Sequence, residues 1–359
     1  MESIVRNAIN AEKPTPSAVN YAEGPKIIVM GCGGAGNNTL NRMARLGVAG
    51  AELIAVNTDK QHLTLIHDSV KKLLIGQSVT RGLGAGGYPD VGAKAAEVSR
   101  ATLSQALDGA DMVFLTAGMG GGTGTGVAPI VADIAKEQGA IVIAMVTYPF
   151  RLERARLIKA DEGIQKLRKV ADTVIIIDNN RLVELVPNLP IEQAFSVADE
   201  VIGRAVKGIT ETITTPSLIN LDYADVRSIM TQGGVSVISV GEAKGHQRVE
   251  EVVEDTMRNS LLDIDYTGAT GVLIHITGGP DLTMGEANQI GERLTEAVDP
   301  KATVIWGARI IPEYEGKIEV ISIMTGVQSS HVRGPMGNAI ASGASDKDLD
   351  SMLGISYLK

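Results

Sequence analysis

Short apolar runs alternate along the chain with segments whose apolar positions recur every three to four residues. KIIVMG (26–31) is followed by Leu40, Met43 and Leu46 at helical spacing and then by ELIAVN (52–57), which predicts a β-α-β unit. The alternation continues through MVFLTAG (112–118), a helix after Thr123, IVIAMVTYP (141–149), a helix near 152–170 and TVIIID (173–178). Apolar strands separated by helices imply a parallel sheet covered on both faces. Phe195, Ala198, Ile202, Val206, Ile209 and Ile213 then share one helical face, predicting a long, buried linking helix over 190–213. Beyond it the texture changes to VSVISVG (235–241), GVLIHIT (271–277), TVIWGARI (303–310) and KIEVISIMTG (317–326), with one helix-like segment near 282–297. That pattern predicts a smaller α+β domain with a mixed sheet.

The organisation expected is an arm over 1–24, a first domain over 25–189, the linking helix, a second domain over 214–331, and a small-residue, polar linker over 332–347. The last segment, 348–359, is apolar at Leu349, Met352, Leu353, Ile355, Tyr357 and Leu358, which suits docking into a partner groove.

Composition narrows the function. A chain of 359 residues that is 44% hydrophobic can bury a large core. Its formal charge of -9, with no basic cluster, argues against general attraction to nucleic acid or anionic lipid, so a bound anion must be held locally. Three Phe and one Trp leave little for base-stacking platforms. Cys32 is the only cysteine, which excludes an intramolecular disulfide and argues against cysteine-built zinc. His62, His67, His246, His275 and His331 lack ligand spacing, so no protein-built metal site is expected. No apolar run is long enough to span a bilayer, and the start lacks a secretory pattern; the expectation is a cytoplasmic protein without membrane insertion.

Glycine carries the candidate chemistry. GCGGAGNN sets Gly31, Gly33 and Gly36 in a G-x-G-x-x-G frame between the first strand and helix, where amide groups and the helix N-terminus can receive phosphate. Alone, that frame also suits a nicotinamide dinucleotide, with Asp59 as ribose acid, or a ligand-free turn. GMGGGTGTG (118–126) follows another apolar strand and again opens a helix, adding the hydroxyls of Thr123 and Thr125. GLGAGG (82–87) lies in a connection that can close over the same place. Three such loops around one sheet suggest a polyphosphate cradle, and no phosphate-lysine P-loop motif competes with it.

GGAGNN (33–38), GGGTGTG (120–126) and NLDYADV (220–226) together resemble the tubulin/FtsZ family of cell-division GTPases, over about residues 26–329, and the closing GISYL resembles archaeal members. The resemblance implies an α/β fold: a Rossmann-like parallel-sheet GTPase domain joined by a long central helix to a smaller α+β domain with a mixed sheet. It implies GTP or GDP with Mg²⁺ as cofactors. Gly33, Gly34, Ala35, Gly36, Asn37 and Asn38 would line the phosphates, with Asn57 and Asp59 beside them. Gly120, Gly121, Gly122, Thr123, Gly124, Thr125 and Gly126 would wrap the β- and γ-phosphates, and Ala85, Gly86 and Gly87 would cover them. Pro149 and Glu153 join the nucleotide set, with Glu153 toward the ribose. In the family an arginine follows that glutamate by four residues; here Leu157 stands there, and Arg156 is assigned by assuming one deleted residue. Tyr88 likewise replaces the family's asparagine after the third loop.

For the base the resemblance points to Asn179, Phe195 and Asp199. The last two lie four apart on one helical face, so a ring can stack on the purine while a carboxylate accepts from guanine N1–H and the exocyclic amine. Asp222 and Asp225 lie three apart where a loop enters a helix, a spacing that also suits plain helix capping. In the family these acids, with Asn220, polarise the attacking water. They follow a linking helix roughly 36 Å long, at about 1.5 Å per residue, whereas the phosphate loops precede it. The resemblance therefore implies head-to-tail homopolymers in which one subunit completes its neighbour's site, and a tail that binds a membrane-anchoring adaptor at mid-cell.

Overall fold

The structure is a computed structural model that describes residues 24–214, 222–231, 235–258, 268–296 and 298–327. The arm, Asn220, the 332–347 linker and the 348–359 segment lie outside the described residues.

The strands are β1 (Ile27–Cys32), β2 (Ala51–Asn57), β3 (Lys71–Leu74), β4 (Met112–Gly118), β5 (Ile141–Tyr148), β6 (Thr173–Asp178), β7 (Val235–Lys244), β8 (Gly271–Gly278), β9 (Thr303–Ile310) and β10 (Lys317–Thr325). They form one sheet ordered β3-β2-β1-β4-β5-β6-β7-β10-β8-β9. From β3 to β6 every pairing is parallel. β10 pairs antiparallel with β7 and β8, and β8 pairs parallel with β9, so the mixed pairing expected of the second domain is the second half of the same sheet. The two halves meet where β6 and β7 pair, among the described residues, at Val174↔Val235 and Ile175↔Ser236. Nothing in the sequence signals that junction, because the linking helix separates its strands.

Helices of seven residues or more are α1 (Gly33–Leu46), α2 (Pro89–Glu97), α3 (Arg100–Leu107), α4 (Thr123–Glu137), α5 (Ala155–Leu167), α6 (Asn179–Leu185), α7 (Ile191–Thr214), α8 (Tyr223–Met230), α9 (Arg248–Arg258) and α10 (Met284–Thr295). α7 is the linking helix. Its buried Ala198, Ile202, Ala205, Val206 and Ile209 join Leu40 and Met43 of α1 and Ile238, Leu273 and Ile321 of the sheet's second half in one apolar cluster. Interior glycines in a helix cost about 1 kcal/mol each relative to alanine. Two here permit close approach: a Cβ on Gly203 would stand 2.7 Å from Leu46 Cδ1, and one on Gly208 would stand 2.5 Å from Ile321 Cδ1.

The expectation of one helix in the second domain is corrected by α9, which buries Val249 and Val252 and is pinned by Arg248 to Asp281 and Glu286. Val249, Val252, Val253 and Thr256 stand at i, i+3, i+4 and i+7, so the helical period was present in the sequence although valines favour strands. Among the described residues, no helix is long and apolar enough to cross a membrane.

Candidate functional site

β1 passes directly, and β4 after four residues, into a helix at the same end of the sheet. α1 begins at Gly33, directly after β1, and Gly33 sits at φ +74°, in the left-handed region that glycine tolerates. Gly31 is therefore the strand's penultimate residue. A Cβ on Gly33 would lie 2.8 Å from Gly124 N, and one on Gly36 would lie 2.3 Å from Thr116 O. The two glycine motifs are thus packed backbone to backbone. Thr58 and Thr123 share a hydroxyl–hydroxyl bond of 2.7 Å, and Gly120 N–H donates to Thr125 Oγ1 at 2.8 Å.

Other glycines leave room instead. The nearest atom to a Cβ on Gly34 is His62 Nε2 at 3.7 Å, and on Gly121 it is Gly118 O at 4.0 Å. These open backbone positions, next to the N-termini of α1 and α4, form a cradle for an anion. The cradle is one end of a cleft of about 920 Å³.

Of the residues expected from the sequence, Gly34, Ala35, Asn38, Gly121, Gly122, Thr123, Gly124, Pro149, Glu153, Arg156, Asn179, Phe195 and Asp199 line that cleft. Gly33, Gly36, Gly120, Thr125 and Gly126 build its floor without lining it. Asn57 Oδ1 accepts from the amides of Thr58 and Asp59, and Asp59 Oδ1 accepts from His62 N–H, so these two shape the adjoining turn. Ala85, Gly86 and Gly87 back the second motif: a Cβ on Gly122 would stand 2.9 Å from Ala85 Cβ and 3.0 Å from Gly87 N. Tyr88, where the family has asparagine, precedes α2 and lies under Lys159 Nζ, 5.3 Å from its ring centroid, while Lys159 also donates to Gly87 O. Asn37 is fully buried, and neither polar atom of its side chain has a hydrogen-bond partner.

At the far end Phe195, 41% exposed, meets Phe150 with ring centroids 5.7 Å apart at 57°. Asp199 Oδ1 accepts from Thr39 Oγ1 at 2.6 Å. Burial pushes the Asp199 carboxyl up to about 6, opposed by the Thr39 hydrogen bond and the charge of Arg42. Asn179 is buried with an unpartnered Oδ1. Such an orphan acceptor on a cleft wall suits a ligand donor. Glu153 and Arg156 pair at 2.5 Å, so the arginine three residues on does meet the glutamate.

Asp222 and Asp225 cap α8 reciprocally: Asp225 N–H donates to Asp222 Oδ1 at 2.7 Å and Asp222 N–H to Asp225 Oδ2 at 3.4 Å. Tyr223 Oη donates to Asp111 O at 2.8 Å, directly before β4 begins. The cradle follows the other end of β4, seven residues on. At ~3.3 Å per residue that separates acids and cradle by about 23 Å.

Residues 26–187 match the family model of the tubulin/FtsZ GTPase domain, and residues 234–328 match that of the FtsZ C-terminal domain. Cell division protein FtsZ 2 of Methanocaldococcus jannaschii is 59% identical over 92% of this chain and 88% of its own length. This chain belongs to the FtsZ family. FtsZ 2 of Haloferax volcanii is 56% identical over 93% of this chain and 85% of its own. An empty FtsZ dimer from M. jannaschii superposes with a TM-score of 0.79 at 44% identity, covering 90% of this chain and 92% of that one.

Set in an FtsZ fold, the cleft has walls that the motifs alone do not signal. Asn41, Arg42 and Arg45 of α1 and Glu192 and Ser196 of α7 also line it. Their only signal was spacing, since 38, 42 and 45 follow one face of α1 outward from the glycine motif.

Proposed function

We propose that this chain binds GTP in the cleft and hydrolyses it when a second copy supplies Asp222 and Asp225, so that head-to-tail filaments form and act in cell division. The observation that carries this reading is the separation of the acids from the cradle along β4. One chain then holds two half-sites at opposite ends, and a heterologous contact between copies that does not close generates a filament. The solved M. jannaschii relative, described as a dimer, is consistent with self-association.

In the bound state, amides at Gly34 and Gly121 hold the phosphates, Phe195 stacks on the base, and Asp199 accepts from guanine N1–H and the 2-amino group. Asn179 Oδ1 gains a donor. Mg²⁺ would arrive on the nucleotide and take few protein ligands. Thr58 and Thr123 are the nearby hydroxyls suited to it. When bound, Mg²⁺ neutralises phosphate charge; positioning the water is left to the acids of the neighbouring copy. The 348–359 segment would dock on a membrane-anchoring adaptor at mid-cell.

Light scattering with simultaneous phosphate release after adding GTP and Mg²⁺ tests binding, turnover and assembly together. Turnover per subunit should rise with protein concentration; a concentration-independent rate would overturn the shared site. The capping contacts favour a second reading in which the acids are structural only. Asp225→Asn decides between them, because its amide oxygen keeps the cap while the charge is lost. The shared-site reading expects near-normal stability with turnover down at least 100-fold, and the capping reading expects normal turnover.

A further inference from the structure

α1 and α7 are joined by polar rungs along the cleft wall. Thr39 meets Asp199 at 2.6 Å. One turn on, Arg42 meets Glu200 through Nε at 2.6 Å and Nη2 at 2.5 Å. Lys207 Nζ closes the ladder on Leu46 O at 3.1 Å. Arg42 itself lines the cleft. Its guanidinium does not wander, because Arg204 Nε holds the other oxygen of Glu200 at 2.9 Å. Arg204 in turn reaches Glu242 of β7 at 3.3 Å and Glu319 of β10 at 3.1 Å, and Lys317 sits on Glu242 at 2.9 Å. A cation in a nucleotide cleft is thus fixed by an ion network anchored in the second half of the sheet.

We propose that Arg42 is a specificity-determining positioning residue: clamped by Glu200 and Arg204 beside Asp199, it keeps that carboxylate a charged double acceptor and so sets the preference for guanine. The inference rests on the cleft being a guanine nucleotide site. A neutral carboxyl presents a hydroxyl donor where guanine offers only donors, so recognition depends on the charged form. The groups acting on Asp199 are the Thr39 hydroxyl, through a hydrogen bond, and the Arg42 guanidinium, through its charge, both on α1; Arg45 of α1 and Glu192 of α7 line the same cleft. Thr39 supplies one hydrogen bond. Arg42 supplies the positive charge, which Glu200, gripping it through one carboxylate oxygen, only partly offsets. A nearby opposite charge favours the ionised carboxyl, and at Asp199 it adds to the larger effect of the Thr39 hydrogen bond.

The test measures GTP and ITP dissociation constants between pH 5 and pH 8 for the full chain, Arg42→Gln and Arg42→Lys, with thermal unfolding as a control for folding. ITP lacks the 2-amino group and reports on the second of the two hydrogen bonds. For the wild type, GTP affinity should fall as pH drops through about 6. In Arg42→Gln the fall should begin at a higher pH, giving roughly twofold extra loss at pH 6 relative to pH 8 and a smaller GTP/ITP ratio. Arg42→Lys should recover most of the wild-type profile, because charge rather than shape is what Asp199 responds to. An Arg42→Gln profile parallel to wild type, or one that Lys fails to rescue, overturns the assignment. Absence of GTP binding by the wild-type chain would sink the nucleotide reading itself, so the two failures are distinguishable.

Discussion

Asp199→Asn should separate what this carboxylate does for the fold from what it does for the ligand. The ordinary value for the group is 3.8, and in the folded chain burial raises it to about 6. A raised carboxyl destabilises the folded state once ionised: the penalty is absent below 3.8, develops between 3.8 and about 6, and is complete above that. At 1.36 kcal/mol per pH unit the interval is worth at most ~3 kcal/mol. Solvent reaching a partly exposed side chain reduces this to about 1–2 kcal/mol. Asparagine keeps an oxygen for Thr39 and never ionises, so the nucleotide-free variant should be more stable than wild type by that amount at pH 7–8. The two should converge below pH 4. Urea denaturation at pH 4, 6 and 8 reads the difference directly. The same variant should bind GTP roughly 10- to 150-fold more weakly, the range for losing a hydrogen bond to a charged group. It should gain affinity for XTP, whose C2 carbonyl accepts from the new amide. Equal stabilities at all three pH values would refute the burial argument, and unchanged GTP/XTP preference would refute the base-reading role.

Two glycines that look alike in sequence should behave oppositely. A Cβ on Gly126 would lie 2.1 Å from Pro89 O and 2.6 Å from Ala93 N, so Gly126→Ala should destabilise by about 1–3 kcal/mol in thermal or urea unfolding. Gly121→Ala has room and should fold normally while weakening triphosphate binding in a fluorescent-nucleotide titration, since the new methyl group occupies the cradle. Phe195→Ala should leave unfolding nearly unchanged, because the ring is 41% exposed, yet weaken nucleotide binding by about 1–3 kcal/mol, the usual contribution of base–aromatic stacking.

The alternation of apolar runs and helical periods located every described strand but β3, and α7, to within a residue or two, except that β7 runs three residues farther than expected, because a mostly buried strand leaves a clear pattern. The one-turn and two-turn elements escaped it. β3 exposes two lysines and only half buries its leucines, and α2 and α3 fill a connection that read as a glycine-rich link. The cradle was legible because glycine is dictated there by backbone approach. The wall of Arg42, Glu192 and Ser196 was not, since charged residues on a helix ordinarily mark a solvated face, and only the packing of α7 on α1 turns that face into a cleft. Asp222 and Asp225 show the limit from the other side: their spacing suited both capping and chemistry, and the structure contains the cap.

The direct contact of the first glycine motif with the second, Gly33 against Gly124, and with β4, Gly36 against Thr116, has a thermodynamic consequence. Glycine-rich loops ordinarily lose much conformational entropy when a ligand orders them. Here that ordering is completed during folding, so the phosphate amides are already aimed when nucleotide arrives. The ligand then contributes its binding energy to holding phosphate rather than to arranging the chain. The Gly33–Gly36 amides, which have no intrahelical acceptor at the N-terminus of α1, should accordingly exchange quickly in the nucleotide-free protein and become protected on loading, while the protection of the packed β1 and β4 amides changes little.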